Sequence, residues 1–112
     1  MPTLTVKQTM DIANKIEKHF ENLGFETSWN WYRDDVVVEI ITNPMAKKIA
    51  DILDTYNPRA SLTITIWNGE DENESSMFVG NDIRNRIFSP TEEDVNSIIS
   101  KAEAIAKSRR KR

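Results

Sequence analysis

Apolar residues at Val6, Met10, Ala13, Ile16, Phe20 and Leu23 recur at steps of three and four, the period of an amphipathic helix. Thr5 and Gln8 frame its start as a capping box, and Gly24 followed by Phe25 is placed to close it in a left-handed turn. The pattern predicts a first helix over 6–23. The period then switches to two. Phe25, Thr27, Trp29 and Trp31 alternate with Glu26, Ser28, Asn30 and Tyr32, and a run of β-branched residues over 36–42 follows the turn Arg33-Asp34-Asp35. This is the signature of a hairpin. Trp29 and Trp31 fall on its apolar face, where burial of two large rings predicts core positions.

Asn43-Pro44 opens a second helix, with Asn43 as the cap and Pro44 where a missing N–H costs nothing. Its apolar stripe is Met45, Ile49, Ile52, Leu53 and Tyr56, and Asn57-Pro58 is the expected stop. Residues 61–67 alternate again: Leu62, Ile64 and Ile66 on one face, Thr63, Thr65 and Trp67 on the other. A polar loop over 68–74 leads to a short returning strand over 76–79, and residues 80–88 read as no definite element. Ser89-Pro90-Thr91-Glu92 then predicts a last helix, capped by Ser89, with Val95, Ile98, Ile99, Ala102, Ile105 and Ala106 on its apolar face. The expected fold is α+β, in the order α-β-β-α-β-β-α, with a four-stranded, mainly antiparallel sheet packed with helices. Residues 1–106 form a single domain in this reading, and 107–112 a basic tail.

Strand parity makes the outer face of that sheet the part of the pattern that bears on function. If Leu62, Ile64 and Ile66 lie beneath helices, then Trp67, Thr63 and Thr65 point away from them. The same alternation sets Tyr32, Val37 and Ile41 on that side. A semi-apolar sheet face is either covered or marks a partner surface. The acidic loop residues Glu70, Asp71, Glu72 and Glu74 join it as candidate partner contacts, including contacts to a second copy of the chain in a homodimer.

Composition narrows the function classes. The 112 residues are the length of one domain, enough to bury roughly 65% of the unfolded surface. No cysteine is present, which excludes disulfides and thiolate zinc sites and is compatible with a reducing, cytoplasmic setting. The start, Met1-Pro2-Thr3-Leu4-Thr5, has neither the basic nor the apolar region of a signal peptide, and no apolar run is long enough to span a membrane. The net charge of −3 conceals a division. Residues 1–106 hold ten of the fifteen basic side chains and all eighteen acidic ones, a formal charge of −8, whereas Lys107, Arg109, Arg110, Lys111 and Arg112 crowd the end. An acidic body repels phosphate and a basic segment attracts it.

Candidate chemistry is sparse. His19, the single histidine, sits among Lys15, Lys18 and Asn22 by helical spacing and has no accompanying nucleophile motif, so an ordinary surface role is expected. The loop Glu70–Glu74 lacks the ligand spacing of an EF-hand and reads as solvated. Three glycines leave little room for a phosphate-cradling loop. The sequence therefore predicts no catalytic, metal or cofactor site and no enzyme. An enzyme would need carboxylates and Arg84, Arg86 or His19 to converge in a cleft. The expected function is a small non-enzymatic protein-interaction module with an acidic body. One variant is an inhibitor that occupies the basic groove of a nucleic-acid-binding protein. Small acidic antagonists made by phages, anti-CRISPR proteins among them, share this size and charge, an analogy of class that carries over no residue. The alternative is a single-stranded nucleic-acid or RNA-binding module, with sheet aromatics stacking on bases and Lys107, Arg109, Arg110, Lys111 and Arg112 gripping phosphate.

Overall fold

A computed structural model describes residues 4–33, 35–68 and 74–110. The chain runs α1 (Val6–Asn22), β1 (Glu26–Tyr32), β2 (Asp35–Ile41), α2 (Pro44–Leu53), β3 (Ser61–Trp67), β4 (Ser76–Val79), a 3-10 turn (Ile83–Asn85), β5 (Ile87–Phe88) and α3 (Glu92–Arg110). The class is α+β, as expected, but the sheet has five strands rather than four, antiparallel throughout in the order β1-β2-β3-β4-β5. The extra strand is the two-residue β5, whose Ile87 and Phe88 pair with Met77 and Ser76. Two residues are too few to show a period, which is why residues 80–88 carried no legible pattern.

Helix α1 forms where its caps dictate. Thr5 and Gln8 exchange both hydrogen bonds of the capping box. At the other end Gly24, at φ 87°, lets Gly24 N–H donate to Glu21 O and Phe25 N–H to Phe20 O. That double closure is accompanied by an edge-to-face contact of Phe20 with Phe25, at 5.9 Å between ring centres.

The inner face of the sheet carries the core. Register aligns Val38 with Ile64 and Ile64 with Val79, and Val36 with Ile66 and Ile66 with Met77. These rows are buried beneath Ala13, Ile16 and Phe20 of α1 and Val95, Ile98, Ile99, Ala102 and Ala106 of α3. Leu62, Ile64 and Ile66 thus lie under helices, and the parity expected of β3 holds.

Three local expectations are corrected. Helix α3 is capped by Thr91, not Ser89: Asp94 N–H donates to Thr91 Oγ1 and Thr91 N–H to Asp94 Oδ2. Ser89 is occupied elsewhere, its N–H donating to Ser75 O and its hydroxyl to Glu74. Helix α2 stops at Leu53, before Asn57-Pro58, because Asp54 takes a left-handed conformation (φ 53°) and Thr55 N–H turns back to Ala50 O. Asp tolerates that region better than most residues, so it serves here where glycine is usual. Finally, Trp29 is half-buried against the core and Trp31 is 37% exposed, although both were expected inside. They lie on β1, an edge strand with a sheet neighbour on one side only.

Candidate interaction surface

The outer face of the sheet is built by the same alternation. Asn30, Val37, Thr65 and Phe78 form one row across β1 to β4, and Trp67, Ser76 and Phe88 form another across β3 to β5. Trp67 does point outward. It is half-buried by its neighbours on that face, meeting Phe78 edge-on at 5.3 Å. The Arg86 guanidinium lies 5.4 Å from the Trp67 ring centre and 4.7 Å from that of Phe88, within cation–π range of both. Arg86 and Phe88 share this side because Ile87 between them turns inward to Met77. Among the described residues Arg86 has no ion-pair partner, and its Nε is buried without a hydrogen bond. Sequence reading missed Arg86 and Phe88 here because it missed β5.

The other residues assigned to this face from the sequence fall into place unevenly. Thr65 and Ile41 are buried, Val37 and Thr63 half-buried, and Tyr32 is 60% exposed. The register separates Tyr32, at the β1–β2 turn, from Ile41, opposite Glu26 at the far end. Glu74 is exposed and accepts the Ser89 hydroxyl; Glu70, Asp71 and Glu72 lie outside the described residues.

A larger apolar surface lies on α2. Asn43 caps the helix by accepting Ala46 N–H, and the Asn43 and Thr42 N–H groups both donate to Ala60 O, so its base is pinned beside β3. Lys47 faces the sheet, 3.6 Å from Glu39 on the outer face and 2.8 Å from Asp51. The Asp51 hydrogen bond, then Glu39, raises the Lys47 ammonium above its ordinary range. Ala50 is buried, and it is the only residue of α2 that is. The apolar stripe, Met45, Ile49, Ile52, Leu53 and the following Tyr56, is 49–73% exposed. The periodicity had identified this stripe correctly, but no element among the described residues packs on it, and the helices that cover the core face of the sheet are α1 and α3.

The basic residues near the end are engaged with the fold. Helix α3 continues through Arg110, so the expected boundary at residue 106 falls inside it. Lys107 pairs with Glu103 at 2.8 Å. Arg109 donates to the Pro58 and Ser61 carbonyls. Arg110 donates to Leu23 O, the capping residue of α1, and lies 3.9 Å over the Phe25 ring. Lys111 and Arg112 are outside the described residues.

Acidic side chains occur on every helix and on the sheet. Several are neutralised locally, as in Lys7–Asp11, Lys47–Asp51, Lys101–Asp82 and Lys107–Glu103. His19 Nε2 donates to Glu103 at 2.6 Å, joining α1 to α3. The Lys107 and His19 hydrogen bonds hold the Glu103 carboxyl below its ordinary range. Ser100 lines the same shallow groove as His19, and no hydrogen bond joins the two. Among the described residues no three His, Asp or Glu side chains gather as a metal site, and no helix is long and apolar enough to cross a membrane. Comparison with known protein families, curated proteins and solved structures returns no match to this chain.

Proposed function

We propose that the chain is a non-enzymatic protein-interaction module that acts through an apolar surface on α2, supported by the outer face of the sheet. One observation carries this reading: four large hydrophobic side chains stand in solvent on a helix that buries a single alanine in its own fold, with Tyr56 exposed just beyond its end. Isolated exposed hydrophobics are ordinary, whereas a contiguous stripe of this kind is characteristic of an interface. The net charge of −3 would speed encounter with a basic partner, the setting in which an inhibitor of a nucleic-acid-binding protein would work. Because the carboxylates are distributed over the molecule, charge supplies attraction at a distance and the apolar surface supplies position. The nucleic-acid alternative draws less support, since Lys107, Arg109 and Arg110 already serve contacts within the chain.

The experiment is capture of purified nucleases and polymerases by the immobilised chain at low salt, with Ile52→Glu and Tyr32→Ala as surface variants. Binding that Ile52→Glu weakens at least tenfold supports the reading. No partner at low salt, or binding indifferent to both substitutions, contradicts it.

A further inference from the structure

We infer that β1 is the seam of a homodimer, in which a second copy of the chain pairs its own β1 antiparallel and the two sheets become one. This goes beyond the reading of α2, whose stripe stays free for another partner.

The first argument is the open backbone. Strand β1 is one edge of the sheet and β5 the other. An open edge is a template for another strand, and proteins blunt it with shortness, lysine, proline or a bulge. Strand β5 is only two residues long. Strand β1 has none of these protections. Its seven residues pair with β2 without interruption, and its single charge is Glu26 at the start. The ladder sets the direction of its free groups. Thr42 N–H donates to Ala60 O, so by alternation Val36, Val38 and Ile40 also turn their backbone groups to β3, and Val37 and Glu39 turn theirs to β1. Asn30 and Ser28, opposite those two, are bonded within the sheet, whereas Thr27, Trp29 and Trp31 turn their N–H and C=O groups outward.

The second argument is self-complementarity. The three outward residues are symmetric about Trp29. A two-fold axis there sets Trp29 opposite its own copy and each Thr27 opposite the other copy's Trp31, so that every outward N–H meets an outward C=O. Glu26 and Arg33, at the two ends of the strand, are exposed and make no ion pair among the described residues. The antiparallel copy lays each Glu26 beside the other's Arg33. The strand thus answers its own charge at both ends, which singles out a second copy among extended partners.

The third argument is what borders the edge. Helix α1 meets α3 through the side that carries Lys15 and His19. Helical spacing puts Val6 and Met10 on the opposite flank, toward β1, and both are exposed, as is Trp31. Because α1 lies over β1 and β2, continuing the sheet by one strand spacing places the two α1 helices about 10 Å apart, at helix-packing distance, with Val6 and Met10 of each copy between them.

Sedimentation equilibrium of the full chain from about 1 to 300 μM, the range of a small interface, tests this. The wild type is expected to pass from monomer to dimer, as is Ile52→Glu, whereas Trp31→Lys is expected to remain monomeric with an unchanged far-ultraviolet circular dichroism spectrum. Glu26→Arg and Arg33→Glu are each expected to weaken association about tenfold, and their equimolar mixture to regain it as a heterodimer, since each then offers the charge the other lacks. In the wild type, exchange of the Thr27, Trp29 and Trp31 amides is expected to slow as concentration rises, a readout that needs no variant. A wild type monomeric throughout, a dimer indifferent to Trp31→Lys, no recovery in the mixture, or amide exchange indifferent to concentration would overturn the inference. A dimer abolished by Ile52→Glu would also overturn it, because the copies would then meet on α2. A monomeric chain whose capture of another protein is lost in Ile52→Glu would exclude the dimer and leave the reading of α2 standing.

Discussion

At the scale of the residue, the contacts that matter most join segments distant in sequence. Arg110 caps α1 from the far end of the chain, through Leu23 O and the Phe25 ring. Arg110→Ala removes a charged hydrogen bond and a cation–π contact at a partly exposed site, and is expected to cost about 1–2 kcal/mol in chemical denaturation. Gly24→Ala acts on the same corner by forcing a side chain into positive φ (87°), where the space itself would admit a Cβ, and should cost about 1 kcal/mol. Glu103 links His19 to Lys107, and its carboxyl titrates below its ordinary range. A depressed folded-state value contributes stability above the unfolded value, near 4.5, and that contribution is lost as pH falls through the folded value. Glu103→Gln is thus expected to lower stability near neutrality and to flatten its fall below pH 4.5, so that the two proteins converge in acid. A pH series of urea midpoints reads this out, and identical acid profiles would contradict it. Residue types predicted few of these partners: nothing in His19 or Arg110 taken singly points to Glu103 or Leu23.

Among the elements, legibility followed the strength of local signals. Helix α1 was readable in full because its caps, stripe and terminating glycine agree, and the β1–β2 hairpin and β3 were readable because their alternation is unbroken. The strand β5 was not, and with it went the Arg86–Phe88 side of the outer face. The cap of α3 was misplaced by two residues because Ser89-Pro90 and Thr91-Glu92-Glu93-Asp94 are both plausible starts. Thr91→Ala should therefore cost about 1 kcal/mol and Ser89→Ala less, a ranking that thermal denaturation of the two variants checks. The end of α2 was hidden because an aspartate does the work of a glycine. Asp54→Gly relieves both the left-handed strain and an acidic charge at a helix C-terminus, and is expected to stabilise by about 0.5–1 kcal/mol. The stripe on α2 was legible as a stripe. Its solvent exposure was not, because periodicity says which side of a helix is apolar and not what lies against it.

In the described structure, a conventional two-layer core of sheet with α1 and α3 carries stability, and α2 stands apart from it. Core and surface should therefore respond independently. Ile64→Ala, at a fully buried central-strand position, is expected to cost about 2–5 kcal/mol, whereas substitutions on the α2 stripe should leave the core intact. The direct measurement is hydrogen exchange of the α2 amides in the free chain. Protection of residues 48–53 should be low, while α3 stays protected. Protection of α2 equal to that of α3 would contradict the view of α2 as a helix that stands apart from the core.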